Sequence, residues 1–394
     1  MPGIRVLVVD DSVVVRKVLC EALTADSTIE VAGTAADGSI ALSKIPILKP
    51  DLITLDIEMP GMSGLETLAE IRKLYPKLPV IMFSTLTERG AAITLDALAA
   101  GATDYVAKPS NTGSVEQTRL RIQTELVPKV KGLCLRRNPS AESKAGTAQQ
   151  ARPESKSSSV TRPGRTGVID IVALGTSTGG PNALAEMLPG IAQPFPVPIV
   201  IVQHMPPLFT RLLAERLNKQ CAIEIHEGEE GAVLKPGEAW IAPGDYHMTV
   251  VRTEGVTKLA LQQEAPENSC RPAVDVLFRS VARLYGVSTL AVVLTGMGSD
   301  GVKGSQVVKE FGGQVIVQDE ASSVVWGMPG QVAGAGLAEG MFPLSGMAKE
   351  IDRRVRGGRL FPGREFLRPI AIKEAARNSD GVVMQESEKA YRPK

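Results

Sequence analysis

The chain has 394 residues, 43% of them apolar and 22% charged, with a formal net charge of +1. That length exceeds one ordinary hydrophobic core and predicts two domains. The near-zero charge gives no global field for gathering nucleic acid or an anionic membrane, and no run approaches the roughly 18 apolar residues of a spanning helix. Cys20, Cys134, Cys221 and Cys270 lie far apart without C-x-x-C spacing, which suits reduced thiols in the cytoplasm. The apolar run Val6–Val9 is short and meets two aspartates, so it reads as a strand and not as part of a signal peptide. A soluble, cytoplasmic protein with no membrane insertion is expected.

In chain order, strand-like runs at 5–9, 52–55, 80–83 and 105–107 alternate with helix-like runs such as 13–23, 64–74 and 91–100. This predicts a parallel sheet covered on both faces, with its chemistry at the carboxyl ends of the strands. Asp10 and Asp11 end the first strand, and Asp56 ends the third, in Leu55-Asp56-Ile57-Glu58-Met59-Pro60-Gly61. Ser84 follows the fourth strand, and Lys108 ends the fifth in Tyr105-Val106-Ala107-Lys108-Pro109. Converging carboxylates repel one another unless a cation offsets them. Oxygen ligands with room for water suit Mg²⁺, and a carboxylate can accept a phosphoryl group that Mg²⁺, Lys108 and Ser84 would hold. A single strand-end aspartate is as readily a cap, so the joint pattern matters more than any one residue. That pattern, D-D, D-x-x-M-P-G, a hydroxyl after strand four and K-P, resembles the receiver domain of two-component response regulators over residues 4–125. The resemblance implies Asp56 as phospho-acceptor and Asp10, Asp11, Asp56 and the Glu58 backbone as Mg²⁺ ligands. It also implies Ser84 and Tyr105 as a switch pair.

Residues 136–167 have no aromatic side chain, Val160 as their only large aliphatic, and seven Arg/Lys against two Glu. Such a composition predicts a flexible tether. The expected divisions are a receiver domain at 1–131, a linker at 132–167, a catalytic domain at 168–351 and a tail at 352–394 to which no role is assigned. Beyond the linker, strands near 169–174, 197–203, 289–294 and 314–318 predict a second α/β domain, and an insertion at 221–262 reads as antiparallel. The fold class is therefore α/β, with two doubly wound domains and mainly parallel sheets.

Residues 175–180 read G-T-S-T-G-G directly after an apolar strand. The G-x-S-x-G spacing fits a nucleophile elbow, with a helix from near Gly180 aiming its amides at the turn. A dinucleotide loop would need glycine where Ser177 stands; a phosphate-binding turn stays open on this loop alone. The chain has three histidines. His204 ends the next strand and is the candidate base; His226 lies in an alternating edge segment, and His247 is the reserve candidate. Asp300, in the turn Thr295-Gly296-Met297-Gly298-Ser299-Asp300-Gly301, could orient the imidazole or cap the following helix. The N–H groups of Thr178 and Met297 are candidate oxyanion donors. The order Ser–His–Asp differs from that of an α/β-hydrolase.

The blocks G-T-S-T-G-G, Q-H-M-P-P-x-F-T, I-A-P-G-D-x-H-M, R-P-x-V-D-V-L-F and L-T-G-M-G-x-D-G occur in order behind the receiver pattern. Together they resemble the chemotaxis protein-glutamate methylesterase family over 4–125 and about 168–350. The resemblance implies Ser177 as nucleophile, His204 as base and Asp300 as orienting acid. It implies demethylation of glutamyl esters and deamidation of glutamines on chemoreceptor cytoplasmic helices, without a cofactor for the hydrolysis. It further implies a histidine kinase as phosphodonor and a receiver that obstructs the site until phosphorylated. A DNA-binding regulator is the rival class, but the output region has no helix-turn-helix pattern or basic recognition helix. A receiver-coupled scaffold without chemistry is the other, against which stands the presence of Ser177, His204 and Asp300.

Overall fold

The structure, a computed structural model, describes residues 3–108, 115–134 and 168–357. The predicted tether at 136–167 and the tail beyond 357 lie outside the described residues.

The first half alternates β1 (Ile4–Val9), α1 (Val13–Thr24), β2 (Ile29–Ala35), α2 (Gly38–Leu48), β3 (Leu52–Asp56), α3 (Gly64–Leu74), β4 (Val80–Ser84), α4 (Glu88–Ala99), β5 (Asp104–Ala107) and α5 (Val115–Cys134). The strands form one parallel sheet in the order β2-β1-β3-β4-β5. Helices cover both faces, so β3 and β4 are buried throughout and read in sequence as unbroken apolar runs. β2 is absent from the runs read in the sequence. It sits at the sheet edge with only Ile29 and Ala35 buried, so its polar residues hide the strand. The chain leaves β1 toward β2 and returns toward β3, which opens a crevice at the carboxyl ends of β1 and β3. Side chains of Ser12, Asp37, Ser63 and Thr87 cap the helices that follow, fixing where each loop ends.

The second half contains β6 (Ile171–Thr176), α6 (Gly180–Met187), β7 (Ile199–Gln203), α7 (Phe209–Asn218), β8 (Glu224–Glu227), β9 (Glu238–Ile241), β10 (His247–Thr253), β11 (Val256–Gln262) and α8 (Val274–Tyr285). It ends with β12 (Thr289–Val293), α9 (Val302–Glu310), β13 (Gln314–Gln318), α10 (Met328–Gly334), β14 (Gly340–Phe342) and α11 (Leu344–Arg356). Its seven-stranded sheet runs β14-β13-β12-β6-β7-β9-β8, with every pairing parallel. β6 lies between β12 and β7, so the turns after these three strands meet at one edge.

The structure corrects three expectations. The insertion at 221–262 is antiparallel only in the β10–β11 hairpin. β8 and β9 instead extend the main sheet in parallel, because the ten residues between them leave room for a crossover in place of a tight hairpin. Residues 352–356, expected to be tail, form the last turn of α11. Leu344, Met347, Ala348, Ile351 and Val355 make one buried face, and Arg354 is held at 2.9 Å by Glu339 and 2.7 Å by Glu350. The arginine-rich composition masks this helical spacing. Likewise α5 runs to Cys134, three residues past the expected boundary. Among the described residues no helix is long and apolar enough to cross a membrane.

The last turn of α11 is structural on this reading. Val355 is 0% exposed, and Val355→Asp should lower unfolding free energy by about 3 kcal/mol or more by burying an unpaired charge. Urea denaturation of the full chain measures this directly.

Candidate active site

At the receiver-like edge, Asp10 and Asp56 are buried and Asp11 is exposed, with ligand oxygens of all three within 4.8 Å of one another. Lys108 Nζ lies 3.1 Å from Asp10 Oδ2 and 2.7 Å from Asp56 Oδ2. Among the described residues those two oxygens meet no other hydrogen-bond donor. The Glu58 N–H approaches Asp56 Oδ1 at 3.4 Å, and the Ser12 N–H donates to Asp10 Oδ1 at 2.9 Å. Burial pushes the Asp56 carboxyl up to about 6, against the pull of Lys108. Burial also disfavours the charged Lys108, but Asp56 and Asp10 outweigh it and hold its pKa above the ordinary value. Three acids against one ammonium leave negative charge uncompensated, so this donor set fits a divalent cation with oxygen ligands such as Mg²⁺.

Two residues read as partners of this cluster point elsewhere. The Ser84 hydroxyl lies 3.1 Å from the Gly90 and Thr85 carbonyls and accepts from Thr94 Oγ1 at 2.6 Å, which turns it toward α4. Tyr105 is buried against the second half: its ring stacks on Phe209 with centroids 4.9 Å apart and planes 6° apart.

In the second half, Ser177 follows β6 in a turn whose Gly179 has φ +77° and N-caps α6. The Ser177 N–H donates to the Thr295 carbonyl at 3.0 Å, and its carbonyl accepts from Gly180 at 2.8 Å and from Gln203 Nε2 at 3.0 Å. The elbow is thus fastened to the turns after β12 and β7. Thr176 pairs with Gln203 in the β6–β7 register, so Ser177 and His204 leave neighbouring strand ends, which lie about 5 Å apart in any sheet. Among the described residues, the main-chain N–H groups of Thr178 and Met297 donate to no acceptor.

His204 and Asp300 meet, with Nε2 and Oδ2 2.8 Å apart. Asp300 is 2% exposed and is surrounded by donors. Val274 and Asp275, the first residues of α8, give it their N–H groups at 2.7 and 2.9 Å, and Gly301 gives its own at 3.0 Å. The alternative cap role is therefore realised too, but on the preceding helix α8 and not on α9. Burial opposes the charge on Asp300, yet His204 and the α8 amides outweigh it and hold its pKa below the ordinary carboxylate value. Burial likewise opposes the imidazolium, and Asp300 overcomes it, so the His204 pKa lies above the ordinary value. The other ring nitrogen, Nδ1, faces Cys270 Sγ at 3.6 Å. No hydrogen bond joins the Ser177 hydroxyl to the imidazole.

The two remaining histidines stand apart. His247 is buried, its Nδ1 accepting from Ala273 N–H at 3.2 Å and its Nε2 beside the Ala265 carbonyl at 3.1 Å. It secures the start of α8, not the elbow. His226 lies against Trp240 on β8, at the sheet edge.

A family model described as CheB methylesterase matches residues 172–351, and a response regulator receiver domain model matches 6–118. A protein-glutamate methylesterase/protein-glutamine glutaminase of Trichodesmium erythraeum (strain IMS101) is 52% identical over 355 residues, covering 90% of this chain and 100% of that one. The chain belongs to the CheB methylesterase family. It joins a methylesterase domain to a receiver domain. A relative of the same description from Nocardioides sp. (strain ATCC BAA-499 / JS614) is 51% identical over 355 residues, 90% of this chain and 96% of that one. The crystal structure of the Thermotoga maritima CheB methylesterase catalytic domain is 42% identical, covers 47% of this chain and 98% of that one, and superposes with a TM-score of 0.46.

In this methylesterase, three residues around the base have no role assigned from the sequence alone, although Asp275 lies in the R-P-x-V-D-V-L-F block. Asn268, Cys270 and Asp275 sit in a loop and a helix start, and only the fold brings them to His204 and Asp300. The N-S-C-R-P stretch ahead of α8 was the available hint, since Pro272 marks a fixed entry into a helix.

The elbow also requires close backbone approach. A Cβ on Gly296 would sit 2.4 Å from Met328 Sδ and 2.9 Å from Ser177 Cβ. Gly296→Ala should therefore displace Ser177 and cut ester hydrolysis by about a hundredfold, the cost of roughly 1 Å of misplacement, while phosphorylation of the receiver half continues. Steady-state hydrolysis and receiver phosphorylation, measured on one preparation, separate the two effects.

Proposed function

We propose that this enzyme removes methyl esters from glutamyl side chains on chemoreceptor cytoplasmic helices, and deamidates receptor glutamines, by a Ser177–His204–Asp300 mechanism gated by phosphorylation of Asp56. The observation that carries the chemistry is the 2.8 Å pairing of His204 with a buried Asp300 at the strand end next to the Ser177 turn. Ser177 Oγ attacks the ester carbonyl carbon while its proton passes to the imidazole. The resulting oxyanion lies against the Thr178 and Met297 N–H groups. The tetrahedral adduct expels methanol, which takes the proton from the imidazolium. Water then attacks the acyl-enzyme by the same path and releases the glutamate carboxylate. With a glutamine substrate the leaving group is ammonia. Asp300 stabilises the imidazolium that forms in each half of the cycle.

Asp300 engages Nε2, so Nδ1 takes the serine proton, and the ring has to exchange Cys270 for Ser177 when substrate arrives. Hydrogen bonds of this kind commonly tighten only in the substrate complex. The Cys270 contact favours a second reading, in which the thiol is the nucleophile. Methanol release from methylated receptor distinguishes them. Ser177→Ala should abolish turnover and Cys270→Ala should leave it within a few-fold; the reverse result transfers the nucleophile to Cys270.

On the receiver side, a histidine kinase supplies the phosphoryl group to Asp56. Asp10, Asp11, Asp56 and the Glu58 backbone would hold Mg²⁺, which when bound offsets charge on the phosphoryl oxygens. Lys108 adds its ammonium to the same oxygens. Gating is supported by how the halves meet. Arg216 pairs with Asp96 at 2.7 Å and Arg211 with Glu88 at 2.8 Å, Asn182 donates to the Ala102 carbonyl at 3.3 Å, and Tyr105 stacks on Phe209. A cavity of about 360 Å³ lined by Leu95, Leu98, Leu213 and Leu217 among others interrupts the apolar packing that the halves otherwise share, a break at which the contact can open. About two added negative charges at Asp56 would redraw the receiver surface bearing Tyr105. Arg216→Asp should raise the unphosphorylated hydrolysis rate about two- to fivefold, the worth of an exposed ion pair. Adding Asp96→Arg should return it toward the starting rate. A rate unmoved by either change would show that this contact does not restrain the enzyme.

A further inference from the structure

Residues 267–270 form a tight reverse turn. Glu267 and Cys270 exchange main-chain bonds of 3.1 and 2.9 Å, and both central residues have positive φ, +51° at Asn268 and +62° at Ser269. This is the type I′ geometry, which favours Asn or Gly at its first central position. Glu267 anchors the turn to α8 through Arg279 at 2.7 Å. The turn aims Asn268 at two carboxylates at once. Its Nδ2 lies 2.9 Å from Asp275 Oδ2 and 2.9 Å from Asp300 Oδ1.

These two acids are an awkward pair. Asp275 is 0% and Asp300 2% exposed, and Asp275 spends its other oxygen on the Gly301 and Gly304 N–H groups at 2.9 and 2.6 Å. Neighbouring buried carboxylates tend to share a proton, since both cannot easily stay charged. A primary amide has two hydrogens and can give one to each acid. Besides this amide, the charged groups around Asp300 are His204, Asp275, Glu267 and Arg279, with Lys303 beside Glu267.

We infer that Asn268 is a positioning residue, whose side-chain amide clasps Asp275 and Asp300 together and so holds Asp300 ionised and aligned on His204. The inference rests on the proposed roles of His204 and Asp300 and deepens them. Without the clasp the two acids share a proton, Asp300 holds the imidazolium less firmly, and the base is easier to deprotonate but less well stabilised in the transition state.

The test compares Asn268→Gly and Asn268→Asp in the full chain, with Asp300→Asn as control. Glycine keeps the positive φ and removes the amide; aspartate keeps the shape and replaces a donor with a third acid. Thermal melting checks that each variant folds. Asn268→Gly should lower kcat for methanol release by about ten- to a hundredfold, as for a lost hydrogen bond to a charged group. KM should change little, and the acidic limb of the kcat/KM profile should move to lower pH. Asn268→Asp should lose more than Asn268→Gly, an order that a purely structural turn residue would not give. With Asp300→Asn inactive, an Asn268→Gly enzyme within twofold of the parent and with an unmoved limb overturns the clasp alone, as does an aspartate variant milder than glycine. If Asp300→Asn itself turns over at the parental rate, the His204–Asp300 reading fails instead.

Discussion

The Asp300 carboxylate is the point on which the working edge of the C-terminal half depends. It is removed from water and accepts from His204, from the N–H groups of Val274, Asp275 and Gly301, and from Asn268. An isolated buried carboxylate would be prohibitively costly; here its lost hydration is replaced by fixed donors, including the positive end of α8. Those donors come from four separate stretches of chain. Keeping one charge solvated therefore draws together the turn after β12, the start of α8, the 267–270 turn and the histidine that ends β7. His247 stands behind this arrangement by fastening Ala273, the residue just before α8.

The parallel sheet supplies what the carboxylate cannot, the placement of the hydroxyl. With β6 between β7 and β12, the turns after all three strands crowd one edge, where the backbones approach closely at glycines. Gly179 takes a positive φ, and Gly296 lets the β12 turn pass against Ser177 and Met328. The same crowding ties Ser177 by its main chain to Thr295 and Gln203. The serine backbone is therefore held while its side chain makes no hydrogen bond among the described residues, an arrangement that suits the nucleophile role proposed for it.

Much of this was legible in the sequence because buried parallel strands leave unbroken apolar runs, and each run points to the residue at its end. Asp10, Asp56, Lys108, Ser177 and His204 all occupy such positions. The edge strand β2 escaped because solvent admits polar residues there, and the last turn of α11 escaped because its arginines outweighed the buried spacing of Met347, Ile351 and Val355. Ser84 shows the limit of reading by strand ends. Its position could be read, but its hydroxyl direction depends on Thr94 and Gly90 in the next helix. Asn268, Cys270 and Asp275 were assigned no role for a deeper reason, even though Asp275 lies in the R-P-x-V-D-V-L-F block: their contacts with Asp300 and His204 span 25 to 66 residues of chain, which no local pattern encodes.

The two halves also meet at the catalytic turns, not only along α4 and α7. Gly132 of α5 lies so close to Met297 that an added Cβ would stand 2.9 Å from its Cε, and Val325 packs into the receiver core at 5% exposure. Val325 in turn accepts from the Gly296 N–H at 3.2 Å and donates to Thr295 Oγ1 at 3.0 Å, while that hydroxyl also lies 2.9 Å from the Thr178 carbonyl. The receiver therefore touches the Met297 turn directly and reaches the Thr178 turn through Val325 and Thr295. A modification at Asp56 can shift the enzyme only by the difference in contact free energy between its two receiver states. Apolar packing is continuous across the halves: Leu95, Leu98 and Tyr105 share one buried cluster with Leu184, Phe209 and Leu213, and Val325 joins the receiver core. The proposed switch at Asp56 has to work against this shared core, which is interrupted by the cavity beside Leu98 and rimmed by the Arg216–Asp96 and Arg211–Glu88 ion pairs.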